Sequence, residues 1–232
     1  MPHLIVNGTK TPNWEHVRRA VSPFFDFPPG TEDPGDYPHY GRDMYSNNIT
    51  CGRNASLYAA TTKTATVLAG SEVGFAINDR DPDAWQGFIH GGPHQIYLSK
   101  VPDGTEIENF VGNEEEACWF KIASFAQNKT TNREWLMLGA SEVKFNIPKT
   151  TPPGRYLLRY EGMNPYAYYE QTQWFVNCAH VDIVGPGGGS PPAALKFPGT
   201  YKLEDPSIFV SFAVDRWILD SYVPPGPAPW TG

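Results

Sequence analysis

The run FIHGGPHQIYLSKVPD, residues 88 to 103, decides how the rest of the chain is read. Gly91, Gly92 and Pro93 end one extended segment, since Gly and Pro punctuate regular structure. Gln95 to Val101 then alternates as a second strand. Between them stands His90, whose imidazole is a common metal ligand. Working outward, strand patterns recur at regular spacing: Ala65 to Leu68, Glu72 to Ile77, Trp119 to Ser124, Glu142 to Ile147, Arg155 to Glu161, Gln173 to Val184 and Ile208 to Phe212. Turn residues separate them and helical periodicity is nearly absent. The pattern predicts two antiparallel sheets face to face, an immunoglobulin-like, fibronectin III-like β-sandwich with long loops, forming a single domain over residues 1–232.

Composition agrees with many short strands joined by ordered turns: 23 Pro, 22 Gly and 14% aromatics in 232 residues. The formal net charge of −7 argues against nucleic acid, whose phosphates need a basic stripe. An uncharged polymer such as a polysaccharide fits better. No apolar run approaches the roughly 18 residues of a membrane span, and no signal peptide heads the chain, as in a mature form. Four Asn-X-Ser/Thr sequons, at Asn7, Asn48, Asn54 and Asn128, suit a secreted, extracellular glycoprotein. Three cysteines, Cys51, Cys118 and Cys178, allow one disulfide and one thiol.

Residues 23 to 45 are too rich in Pro, Gly and Asp for regular structure, and their rings, Phe24, Phe25, Phe27, Tyr37, Tyr40 and Tyr45, are expected to pack beneath an ordered loop. GPGGGSPPAALKFPG, residues 185 to 199, reads as a flexible surface crossing. Other chemistry finds little support. There is no GxSxG elbow, zinc-type Cys/His spacing or phosphate-cradling glycine loop. Glu114 and Glu116 sit in a charged loop and are read as solvated.

Taken with NIPKTTPPGRYLLRYEG (146 to 162), QTQWFVNCAHVDI (171 to 183) and SYVPPGPAPW (221 to 230), the IHGGP run resembles the fungal auxiliary activity family 9 lytic polysaccharide monooxygenases, copper enzymes that oxidise cellulose. The resemblance implies a copper ion held by an N-terminal histidine and an internal one, which His90 matches. It also implies that Gln173 hydrogen-bonds toward bound oxygen, that Phe175 fills the axial position usually held by tyrosine, that Tyr222 stacks on a sugar ring, and that Cys51 pairs with Cys178. Cys118 would then be a buried thiol, and Trp230 a packing anchor for the tail.

Aligning LIVNG on the family's first strand puts the N-terminal ligand a few residues before Met1, with His3 too far along to replace it. The histidine that in the family stands behind the ligands also finds no match between Tyr156 and Asn177; counting onward reaches Tyr166. Such outer-shell groups tune a metal site strongly. These departures resemble a subset of the family in which arginine replaces the N-terminal histidine. The expectation is therefore a monomer that binds or acts on cellulose or xylan without the family's copper-dependent oxidation and with no tightly bound cofactor. The alternative is an active copper monooxygenase whose N-terminal histidine precedes this chain.

Overall fold

The computed structural model describes residues 1–21, 38–77, 87–112, 115–127, 134–216 and 218–232. Strands β1 (His3–Val6), β2 (Thr9–Lys10), β5 (Glu72–Ala76) and β8 (Glu142–Asn146) form an antiparallel sheet in the order β2-β1-β5-β8. A second sheet runs β3 (His39–Tyr40), β10 (Gln173–Val184), β9 (Gly154–Asn164), β6 (His94–Lys100), β7 (Trp119–Phe125). Strand β4 (Ala65–Leu68) lies parallel to the late half of β10, pairing Ala65 with Val181. The result is an immunoglobulin-like β-sandwich.

Alternation along β9 explains why this sheet is buried on both faces. Tyr156, Leu158 and Tyr160 point inward and pack with Leu4, Val73, Phe75, Val143 and Phe145 of the opposite sheet. Leu157 and Met163 point outward, into a second cluster with Trp119, Trp174, Phe197 and Leu219. That outer cluster is roofed by the short helix α1 (Asn48–Cys51) and the segments after residue 194. Strands covered on both faces read as near-continuous apolar runs, which is what LLRY and WFVNCAHV show. Each large side chain so buried contributes about 1.5–3 kcal/mol.

Cys51 in α1 is bonded to Cys178 in β10, with Cα atoms 4.9 Å apart. The bridge staples the roof to the longest strand. Cys118 is partly buried, its Sγ 3.7 Å from the Gly112 carbonyl.

Two expectations fail locally. Residues 208 to 212 do not form a strand, because the Asp205 carbonyl accepts from both Ile208 N (2.8 Å) and Phe209 N (2.9 Å) and winds the run into a turn. Ser211 Oγ then caps the helix α2 (Phe212–Asp215) by accepting from Val214 N. The 185–199 crossing is also only half a surface segment. Leu195 and Phe197 are buried, and the Leu195 carbonyl accepts from Cys118 N and Trp119 N at 3.0 Å each.

Candidate functional site

The HGGP turn is docked on the end of β9 by contacts that admit only glycine. A Cβ on Gly92 would fall 1.6 Å from the Met163 carbonyl oxygen, and one on Gly91 2.3 Å from the Trp135 indole. Met163 N donates to the Pro93 carbonyl at 3.0 Å and closes the contact. The turn therefore has one seat, and it fixes His90 at the open end of the space between the sheets.

Three strands bring polar groups to the same end. Asn164, the last residue of β9, stands opposite Gln173 on β10, and Gln173 stands opposite Tyr40 on β3. Directly paired residues share a face of the sheet, about 5 Å apart per strand. The order across the sheet is thus Tyr40, Gln173, Asn164, with His90 at the end of the row: Asn164 Nδ2 lies 3.1 Å from His90 Nδ1. Phe175, two residues after Gln173, stacks on the His90 ring at 5.3 Å and 22°. Beneath them a cavity is lined by Met1, Ile77, Phe88, His94, Tyr160 and Phe175, among others.

The cluster is neutral. Burial pushes the His90 imidazole below its usual pKa, favouring the uncharged ring. His94, deeper in the cavity wall, is pushed down to about 3 by burial and shares a 2.9 Å hydrogen bond with the Tyr160 hydroxyl. Gln173 Oε1 is buried and has no hydrogen-bond donor among the described residues. An orphaned buried acceptor of this kind carries a penalty of roughly 1–3 kcal/mol. Among the described residues it is the one buried side-chain polar atom of the row without a hydrogen-bond partner.

As a metal centre the donor set is incomplete. Among the described residues no three His, Cys, Asp or Glu side chains converge on a point. The imidazole of His90 stands alone, with an apolar ring at its side. His3 is no substitute, since it lies on β1 with Nδ1 2.7 Å from the Thr11 carbonyl. The amino group of Met1, which borders the same cavity, donates to Asn177 Oδ1 at 2.7 Å. These residues do not by themselves make a two-imidazole copper site.

Tyr222 is not where its expected role requires. It is 5% exposed, its ring set edge to face against Trp135 at 5.0 Å, and its hydroxyl donates to the Ser207 carbonyl at 3.0 Å. Gln127 Nε2 holds its carbonyl from the other side at 2.8 Å. No ring face remains for a sugar, and the residue locks the C-terminal segment instead. Trp230 packs the tail edge-on against Phe120 at 5.6 Å. Of the sequons, Asn7 and Asn54 are exposed, whereas Asn48 is half-buried with its Oδ1 accepting from Asn54 N at 3.2 Å. Asn128, Glu114 and the rings Phe24, Phe25, Phe27 and Tyr37 lie outside the described residues.

Sequence reasoning missed Asn164 and misjudged Tyr40. Carrying the β9 alternation three residues past Glu161 reaches Asn164, but the following Pro165 makes the stretch look like a turn. Tyr40, expected under its loop, is 42% exposed. Elsewhere on the surface Tyr168 (60% exposed) and Phe212 (56% exposed) meet edge to face at 5.7 Å.

The model of Auxiliary Activity family 9 (formerly GH61) matches residues 1–222. The chain is 44% identical to the AA9 family lytic polysaccharide monooxygenase U of Thermothielavioides terrestris, over 99% of this chain and 90% of that protein. It is 33% identical to the AA9 family lytic polysaccharide monooxygenase H of Malbranchea cinnamomea, over 100% and 91%. Among solved structures HiLPMO9B superposes with a TM-score of 0.75 at 25% identity, over 100% of this chain and 98% of that one. A cellulose-active polysaccharide monooxygenase from M. thermophila shares the fold, with a TM-score of 0.70 at 22% identity over 100% and 98%. The docked HGGP turn, the strand register that aligns Gln173 with it, and these matches along nearly the whole chain together show that the protein belongs to the AA9 family of lytic polysaccharide monooxygenases.

Proposed function

We propose that this secreted chain binds plant cell-wall polysaccharide, cellulose or xylan, across the row Tyr40, Gln173, Asn164 and His90, and that its 232 residues do so without the family's copper-dependent oxidation. The observation that carries the reading is the row itself. An exposed tyrosine is registered beside a buried acceptor lacking a donor and a neutral imidazole. A ring face, an acceptor and an imidazole suit the C–H faces and hydroxyls of a neutral sugar. The net charge of −7 fits an uncharged ligand. Support for the absence of oxidation is the single imidazole, the apolar Phe175 beside it, and the lack of a histidine anywhere from Tyr156 to Asn177. On this reading the chain is similar to the family members that carry arginine at the N-terminal ligand position.

Retention on insoluble cellulose and xylan tests this. Tyr40→Ala should lose most retention, while Tyr222→Phe, whose ring is buried, should keep it. Equal retention of wild type and Tyr40→Ala would sink the reading.

A second reading is a copper monooxygenase, favoured by Met1 lying on the wall of the His90 cavity. Met1 and His90 line the same cavity, so a residue ahead of Met1 would start from that wall. Sequencing the mature N-terminus of the secreted protein separates the two, since a first residue other than histidine eliminates the second.

A further inference from the structure

His90 is held by two contacts that fix different degrees of freedom. Stacking on Phe175 sets the plane of the ring, at 5.3 Å and 22°. Rotation within that plane is set by Asn164, whose Nδ2 faces Nδ1 at 3.1 Å. An amide nitrogen can only donate and carries no lone pair to accept with. The ring nitrogen it faces must therefore be the acceptor, and a neutral imidazole that accepts at Nδ1 bears its proton on Nε2. Asn164 is itself well placed to impose this. It is 8% exposed, its backbone is paired with Gln173 in the sheet, and Pro165 follows it against the Gly92 contact.

We propose that Asn164 is the positioning residue that sets the tautomer of His90, so that the ring presents an Nε2–H donor outward. The consequence for the site is chemical. In this state His90 offers a hydrogen bond to an acceptor, such as a sugar hydroxyl or ring oxygen, and has no lone pair at Nε2 for a metal. To ligate a metal through Nε2, the ring must move its proton to Nδ1 and Asn164 must turn its Oδ1 toward it. One side chain thus decides whether the imidazole is a donor or a ligand.

The proposal concerns the ligand-free protein, so it stands or falls apart from polysaccharide binding. It is tested by the ring 15N signals of His90 in labelled protein at alkaline pH, where the ring is neutral. The wild type should show a protonated Nε2 and an unprotonated Nδ1. Asn164→Asp, whose two oxygens only accept, should reverse that pattern, and Asn164→Ala should give a mixture of tautomers. Phe175→Leu, which removes the stack and leaves the amide, should keep the wild-type pattern. A wild type carrying its proton on Nδ1, or a pattern unchanged in Asn164→Asp, overturns the proposal. The wild-type spectrum alone decides it should a variant fail to fold.

Discussion

Two polar clusters sit on opposite faces of the same sheet, sharing β9, and they are built on different principles. On the outer face of β6 and β9, Glu161 accepts from Arg159 Nη2 (2.8 Å), Gln95 Nε2 (3.1 Å) and the Tyr201 hydroxyl (2.7 Å). Arg159 is fully buried, reaches the Ile49 and Thr50 carbonyls, and lies 3.8 Å over the Phe197 ring. Lys121 donates to the Pro225 carbonyl from the same region, its pKa lowered to about 8 chiefly by burial. At the open end of the inner face, by contrast, His90, Asn164, Gln173 and Phe175 carry no formal charge, and among the described residues the Gln173 acceptor has no partner. Buried charges demand compensation and obtain it from the roof, so the first cluster fastens the C-terminal half to the sheet. The neutral set needs no such closure, and a ligand can supply what it lacks.

The largest effect expected on the fastening cluster comes from its covalent neighbour. Replacing Cys51 and Cys178 by serine opens a link between residues 127 apart, for which the chain-entropy model gives about 4–5 kcal/mol. Non-reducing peptide mapping should first show this pair joined. Next, Arg159→Leu leaves Glu161 buried without its counter-ion and should destabilise by about 3–5 kcal/mol in denaturant unfolding. A loss near zero in either case would mean that the outer cluster does not hold the roof.

Acid should weaken the fold from a third direction. His39, His94 and His180 are all pushed down to about 3, mainly by burial. Their folded values lie below the unfolded one, so the stability they contribute is present above about pH 6.5 and falls away as pH drops toward 3. Each histidine contributes a slope of about 1.4 kcal/mol per pH unit in that window. In His180→Gln, whose amide oxygen can still accept from Arg18 Nε, the loss between pH 6.5 and 5 should be smaller than wild type by about 2 kcal/mol. The same pH dependence in both proteins would contradict the burial argument. Smallest is Tyr222→Phe, which removes one hydrogen bond to Ser207 and should lower stability by about 1 kcal/mol.

Legibility in the sequence followed the period of the strands. Glu72–Ala76, Trp119–Phe125 and Gln173–Val184 read directly, because each is a run rich in β-branched and aromatic residues. The IFVSF run failed because local side-chain and carbonyl hydrogen bonds from Asp205 and Ser211 outweigh its apolar character. Tyr222 failed for a different reason: nothing near it in sequence shows that Trp135, 87 positions earlier, covers its ring. His90 was found through a short motif, whereas its partner Asn164 emerges only once β9 and β10 are set in register. Long-range pairing, in short, is where the site's second half was hidden.

The neutral end cluster is the centre of the account, and titration calorimetry of copper into the 232-residue chain tests it most directly. One imidazole with an apolar neighbour should bind copper weakly and without defined stoichiometry, because a single nitrogen donor cannot hold the ion against competing buffer. A tight one-to-one complex that disappears in His90→Ala would contradict the account.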